Sequence, residues 1–390
     1  MGIAGNPIFR LLSIALPRRM FPSRGSPVNL WSGSGTALQR SYLLQTLHES
    51  QNEANIVLSL PSPKNWKNWE YEDYLRYFLS YESAKRRLRG EGFPLDMLSR
   101  GDMEDFLKPI KNRIREKFES EYPDVSISLP AYNEENQIIP TLISYTLTDC
   151  EHGVAELIVV DNGSDDRTRE IAEECGVKLV KCRKKGLHYA REAGLKSAYD
   201  DAEYIWMSDS DVRLVPPIKR REKLHRKGTA LKTSYEYLES NPKVAGVSTG
   251  VVLESSHWFY KITHGLALAL DMTNKYSCWS GGNQFMRKWA LEESGGINLE
   301  MGGASEDHIR HYQLARWAKE NDMLLHSANM DESLADPVYH SGRRVGSAKG
   351  VLESIWSSVT RSNLEKGEHW SDTRHTKGDW WTEMSRKQKK

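Results

Sequence analysis

The sequence predicts an α/β protein: a mostly parallel sheet with helices on both faces, preceded by a mainly helical N-terminal extension. Three observations carry that prediction. From Val125 onward, strand-like apolar runs alternate with stretches of helical periodicity. Polar clusters follow several of those runs at their carboxyl ends, where open parallel sheets bind their ligands. Residues 41–121 are charge-rich and carry helical spacing instead.

The elements follow in order. Val125-Ser126-Ile127-Ser128-Leu129 alternates as a strand does, and Glu134 to Leu147 places apolar residues at helical spacing. Glu156 to Val160 is a buried-strand run. Ser164 stands at an N-cap position, ahead of a helix that Gly176 ends. Val177 to Val180 reads as a strand, Leu187 to Tyr199 as a helix and Tyr204 to Met207 as a fourth strand. This alternation argues for parallel strands joined by covering helices. Further on, Val244 to Leu253 reads as a strand, Trp258 to Thr273 as an apolar helix and Glu306 to Lys319 as another helix. Upstream, Tyr71 to Lys85 and Met103 to Lys117 read as helices.

Composition narrows the possibilities. The 390 residues hold 54 basic and 53 acidic side chains, a net charge of +1. Nucleic-acid binding ordinarily needs a concentrated basic surface, so none is expected. Cys150, Cys175, Cys182 and Cys278 include no CxxC pair and read as thiols in a reducing compartment. No run approaches the roughly 20 apolar residues needed to cross a bilayer. The first forty residues contain Arg10, Arg18, Arg19, Arg24 and Arg40 but no acid and no lysine. They suit a transit peptide, a membrane-surface segment or a solvated tail. Arg386, Lys387, Lys389 and Lys390 close the chain near Trp380 and Trp381. The expected location is the cytoplasm, with any membrane contact peripheral and made through these basic ends. The expected organisation is a basic segment 1–40, a helical accessory region 41–121, an α/β domain 122–345 and a helical, basic tail 346–390.

Four strand ends carry the chemistry. After the first comes Pro130-Ala131-Tyr132-Asn133-Glu134, and after the second Asp161-Asn162-Gly163-Ser164-Asp165-Asp166. Lys185-Gly186 and Ala190-Arg191 follow the third, and Asp209-Ser210-Asp211 the fourth. Any one of these is an ordinary turn composition; four in succession are not. Two carboxylates one residue apart in an extended segment can face the same side. They repel unless a divalent cation joins them, and Mg²⁺ is commonly shared between carboxylates and substrate phosphates.

In this order the motifs resemble those of the inverting family 2 glycosyltransferases of GT-A fold. The matching pieces are Leu129-Pro-Ala-Tyr-Asn-Glu134, Val159-Val-Asp-Asn-Gly-Ser-Asp165, Lys185-Gly186 with Ala190-Arg191 and Gly194, Ser208-Asp-Ser-Asp211, Gly281-Gly-Asn283 and Glu306-Asp307. The resemblance spans about Val125 to His340. It implies that 122–345 is a GT-A domain and that the chain is a hexosyltransferase using Mg²⁺ or Mn²⁺. Pro130, Tyr132 and Glu134 would line the nucleoside pocket, with Asp161 on the base and Arg191 near the phosphates. Asp209 would lie near the ribose or the ion, Asp211 would bind the ion directly, and His340 would complete the site; read alone, His340 is just as well a packed or exposed strand residue. Gly282 and Asn283 would lie on the acceptor side of the donor pocket. Asp307 would be the general base and Glu306 its orienter or an acceptor contact. Arg343 and Arg344 could clamp the diphosphate, or simply be solvated. Trp258, Phe259, Tyr260 and Trp279 could stack on a sugar or lipid, although core packing is the commoner fate of such rings.

Two departures stand out. Asn162 occupies a position where the family often has a second aspartate. Gln313-Leu-Ala-Arg316-Trp317 spells the QxxRW motif of processive polysaccharide synthases, but only six residues after Asp307, and reads as helix composition. Non-processive transfer follows, from a nucleotide sugar to a hydroxyl on a glycan, lipid or protein. The rival readings are a non-catalytic nucleotide-sugar binding module, a retaining glycosyltransferase and a nucleotidyltransferase. The last usually carries a glycine-rich basic loop after its first strand, and here that loop is acidic and glycine-free. No GxGxxG follows the first strand either, which sets a Rossmann dehydrogenase aside.

Overall fold

The computed structural model describes residues 60–151, 154–218, 228–254, 282–299, 306–327, 337–342, 347 and 349. The expected helix at Trp258–Thr273, the segment 1–40 and nearly all of the tail lie outside them. The N-terminal extension forms helices α1 (Tyr71–Leu79), α2 (Tyr81–Leu88) and α3 (Arg100–Phe118). Then follow β1 (Val125–Ala131), α4 (Glu135–Thr146), β2 (Ala155–Asp161), α5 (Thr168–Glu174), β3 (Lys178–Lys181), α6 (Leu187–Ser197) and β4 (Tyr204–Ser208). The second half comprises β5 (Val212–Arg213), α7 (Ala230–Ser240), β6 (Val244–Ser248), β7 (Val251–Leu253), β8 (Asn283–Arg287) and α8 (Lys288–Glu293). It closes with α9 (Glu306–Glu320), β9 (Leu324–Ser327) and β10 (Val338–His340).

Seven strands form the main sheet in the order β3-β2-β1-β4-β8-β6-β9. β1, β2, β3 and β4 run parallel, β6 and β9 run parallel, and β8 opposes both its neighbours. The chain builds outward from β1 to β3 and then returns to place β4 on the other side of β1. That reversal opens a crevice beyond the carboxyl ends of β1 and β4, the place where such sheets bind ligands.

Alternation along the strands supplies two cores. Leu157 and Val159 of β2 and Tyr204 and Trp206 of β4 face one, while Ile158, Val160, Ile205 and Met207 face the other. Both faces are covered, so the strands are apolar throughout, as buried parallel strands are. Tyr74 of α1 and Phe106, Leu107 and Ile110 of α3 belong to the first core. The extension is therefore one covering layer of the sheet. Ser99 caps α3, its hydroxyl accepting from the Asp102 amide at 3.2 Å.

Three expected elements differ. The helix expected at Tyr71–Lys85 breaks at Ser80, which is extended and caps α2 by accepting from the Ser83 amide at 3.2 Å. The strand expected over Val244–Leu253 is two strands in two sheets, since β7 leaves to pair with β10. Ser164 is not an N-cap: α5 starts at Thr168, whose amide donates to Asp166 Oδ1 at 2.9 Å. Gly176, with φ of 70°, does follow the end of that helix.

Candidate active site

The loops after β1 and β2 are laced together. Asn133 takes a left-handed conformation, which asparagine tolerates, with φ of 54°. From there its amide donates to Ser164 Oγ at 3.1 Å, and its Oδ1 accepts from the Asp165 amide at 2.9 Å. The Glu134 amide donates to Thr168 Oγ1 at 2.7 Å. The polar residues of both turns are thus spent on fixing one loop against the other, and Tyr132 is left 46% exposed on the resulting wall. Lys185 Nζ lies 5.1 Å from the centre of its ring.

Asp161 ends β2 with its carboxylate turned inward. Oδ1 accepts from the Ser164 amide at 3.0 Å, and Oδ2 accepts from Arg169 Nε at 2.8 Å. Burial works to raise its pKa, but the hydrogen bonds from Ser164 and the Arg169 guanidinium outweigh it and hold the carboxyl below the usual range. Next to it, Asn162 Nδ2 donates to the Lys184 carbonyl at 2.6 Å, and its Oδ1 accepts from the Gly186 amide at 2.8 Å. An ionised aspartate accepts only, so it could not make the first of these bonds. The departure noted in the sequence is what ties the third loop to the second.

After β4, Asp209 Oδ1 accepts from Arg191 Nη2 at 2.7 Å, while Arg191 Nη1 donates to the Ser208 carbonyl at 3.1 Å. Arg191 is 1% exposed, so it braces Asp209 from behind. The helix that carries it sits close to the sheet because of Gly194, where a Cβ would come within 2.0 Å of Ser128 Oγ. Gly282 presses on the other side: a Cβ there would meet Asp209 Oδ2 at 2.8 Å. Asp211 Oδ2 accepts from Ser341 Oγ at 2.5 Å. β5 and β10 pair antiparallel, setting His340 opposite Val212. His340 Nε2 therefore reaches 3.3 Å from Asp211 Oδ1 and 4.0 Å from Asp209 Oδ2.

One ligand atom from each of Asp209, Asp211 and His340 lies within 4.8 Å of the others, so the three could hold a metal ion. Two carboxylate oxygens and one imidazole nitrogen are donors that a divalent metal ion accepts. The group opens into a cavity of about 680 Å³. Pro130, Tyr132, Glu134, Asp209, Asp211 and His340 line it, and so do Asn162 and Lys185, which the sequence reading left out of the site. The structure thus brings six expected residues together around one space.

The others stand apart from that wall. Asp161 and Arg191 lie behind it, and Gly282 packs on Asp209. Asn283 is buried at the start of β8, its Nδ2 donating to the Thr249 carbonyl at 2.9 Å. Glu306 and Asp307 open α9, and Asp307 is half-buried. Arg343 and Arg344, with Trp258, Phe259, Tyr260 and Trp279, lie outside the described residues.

Residues 126–286 match the family model described as glycosyl transferase family 2. The chain carries a family 2 glycosyltransferase domain. Similar proteins include the undecaprenyl-phosphate 4-deoxy-4-formamido-L-arabinose transferase of Proteus mirabilis, strain HI4320, 32% identical over 24% of this chain and 30% of that protein. Glycosyltransferase AglJ of Haloferax volcanii is 36% identical over 23% of this chain and 28% of its own length. Ceramide glucosyltransferase 3 of Caenorhabditis elegans is 25% identical over 56% and 48%. The chain spans less than a third of the length of the first curated relatives it matches. Among solved structures, the glucosyl-3-phosphoglycerate synthase of Mycobacterium tuberculosis in complex with Mn²⁺ and uridine-diphosphate-glucose is 16% identical, with a TM-score of 0.40 over 65% of this chain and 82% of that one.

The QxxRW residues sit on α9, beyond the stretch that matches the family model. Leu314 and Ala315 enter the second core. Arg316 Nε donates to Glu320 Oε1 at 3.0 Å, and Trp317 packs edge-on against Trp289 at 5.5 Å. Those contacts are what a helix on a sheet needs, in keeping with the reading of the motif as helix composition. Among the described residues, no helix is long and apolar enough to cross a membrane.

Proposed function

We propose that this chain transfers a sugar from a nucleotide-sugar donor to an acceptor hydroxyl, with inversion, one residue at a time and with help from Mg²⁺ or Mn²⁺. The observation that carries the reading is the Asp209–Asp211–His340 group at the end of β4, opening into the cavity beside Tyr132. A nucleoside stacks on the exposed face of Tyr132, and Lys185 beside it offers a cation to the diphosphate. Arg191 keeps Asp209 turned toward the same space. An ion held by Asp209, Asp211 and His340 would supply charge neutralisation to the departing diphosphate.

In the transfer, the acceptor oxygen forms a bond to the anomeric carbon as the bond from that carbon to the phosphate oxygen breaks. The electron pair leaves with the nucleoside diphosphate. The acceptor proton goes to Asp307, with Glu306 orienting the acceptor. The topology supports Asp307 in this role: α9 precedes β9, which runs parallel to β6 and β4, so the helix begins at the carboxyl end of the sheet. Arg310, one turn on from Asp307, donates from Nε to Gln284 Oε1 at 2.6 Å, and Gln284 is registered against Met207 near the end of β4.

The deciding experiment is a panel of nucleotide sugars incubated with Mn²⁺ and candidate glycan, lipid and peptide acceptors, scored for released nucleoside diphosphate and for product anomer. Inverted product that disappears in EDTA and returns with added Mn²⁺ is the expected result. Turnover that persists in excess chelator removes the ion from the reading, and a retained anomer removes the inverting mechanism. Donor binding with no release in any combination leaves a binding module.

A further inference from the structure

A buried charge cluster lies under the site. Arg87 of α2, Arg213 of β5 and Glu254, just after β7, have side chains that are 4%, 0% and 2% exposed. Glu254 accepts from Arg87 Nη2 at 3.1 Å and 3.2 Å, and its Oε2 lies 3.3 Å from Arg213 Nη1. Arg87 Nη1 also donates to the Phe78 carbonyl at 2.8 Å. Arg213 donates from Nη1 to the Asp211 carbonyl at 2.9 Å and from Nη2 to Gln137 Oε1 at 2.5 Å. The Glu254 amide donates to the His340 carbonyl at 2.8 Å. One residue therefore grips the backbone that bears His340 and, through Arg213, the backbone that bears Asp211. Through Arg87 it moors both to the N-terminal helices.

Net stability alone is a weak reason for this arrangement. Two buried guanidiniums share one carboxylate, and Nε of each has no hydrogen-bond partner. Desolvation of buried ion groups often cancels their attraction, and apolar residues of similar volume do as well or better. What such a cluster supplies is fixed geometry. The three short strands β5, β10 and β7 are too brief to hold a register alone, and Glu254 sits where all three converge.

We propose that Glu254 is a positioning residue for the cation: it sets the separation of Asp211 and His340 and so the affinity for the ion, without touching it. The N-terminal helices, through Arg87, thereby take part in the ion site. This rests on the reading that Asp209, Asp211 and His340 hold the ion.

Mn²⁺ is titrated into the whole protein at a temperature well below each variant's melting point, and the signal of the free aqueous ion is followed by electron paramagnetic resonance. Groups that orient metal ligands typically alter affinity by about 10–100-fold, and Glu254→Gln is expected to weaken Mn²⁺ binding within that range. Glu254→Asp, which keeps the charge but shortens the reach, weakens it by a smaller factor. A purely structural role lowers the melting temperature and leaves Kd in place. Should Glu254→Gln not fold, Glu254→Asp decides by the same titration. Asp211→Asn is the control. If Asp211→Asn binds Mn²⁺ as the parent does, the ion-site reading fails and this proposal with it. If Asp211→Asn loses the ion while both Glu254 variants keep the parental Kd, the positioning role is overturned and the ion site stands.

Discussion

Arg191 and Asp209 meet at 2.7 Å, the arginine wholly buried and the aspartate facing the cavity. The guanidinium offsets the repulsion between Asp209 and Asp211 and fixes where the first carboxylate points. Replacing it with an uncharged side chain leaves both acids unrelieved. Arg191→Met is expected to lose about 1.5–3 kcal/mol of stability, the range for hydrogen bonds to charged groups, and to reduce transfer sharply. Urea unfolding and initial rates, compared with Arg191→Lys, check this.

Asn162 gives a test of loop tethering. Asn162→Asp is nearly isosteric, yet it sets a carboxylate against the Lys184 carbonyl. A buried polar group left unsatisfied costs about 1–3 kcal/mol, so the melting temperature should fall. Nucleotide affinity should fall too, because Lys185 and Gly186 line the cavity one step further along. Calorimetry with nucleoside diphosphates measures the second effect.

Asp161 predicts a dependence on acid. Its folded-state pKa lies below the ordinary value of 3.8, so near and below that value the unfolded chain binds more protons than the folded one. The stabilisation it gives is fully present above the ordinary value and is lost as pH falls through the lower folded one. The gap in melting temperature between the parent and Asp161→Asn should therefore be widest at neutral pH and close in acid. A gap unchanged down to pH about 2 would contradict the assignment.

Asp307→Asn tests the proposed base. Donor binding should survive while transfer drops by about 10²–10⁴-fold, the usual contribution of general acid–base catalysis. Parental turnover in this variant would move the role elsewhere, with Glu306→Gln the next substitution to assay.

Much of the fold was legible because it depends on local pattern. Apolar runs set β1 to β4, and their parallel order follows from the helices between them. The paired acids at 209 and 211 pointed to an ion only in the company of the polar clusters at the other strand ends, and His340 entered through family resemblance. Long-range partners were a different matter. Nothing in periodicity says that Asn162 reaches Lys184, that Ser341 reaches Asp211 or that Arg87 finds Glu254. The break between β6 and β7 was hidden because apolar runs, Val244 to Val247 and Val251 to Leu253, flank the short Ser248-Thr249-Gly250 junction at which the chain changes sheets. Ser164 had the right residue type for a cap, but its hydroxyl serves the neighbouring loop.

The layer that α1 and α3 lay over the sheet bears on how the protein can be handled at the bench. Cutting a recombinant version down to the 126–286 match would strip Phe106, Leu107 and Ile110 from the core that holds Leu157 and Val159 and expose the apolar side chains they cover. Broad greasy surfaces of that kind drive clumping. A shortened version fit for crystals or assays should start ahead of Trp66, which is already packed into the same interior.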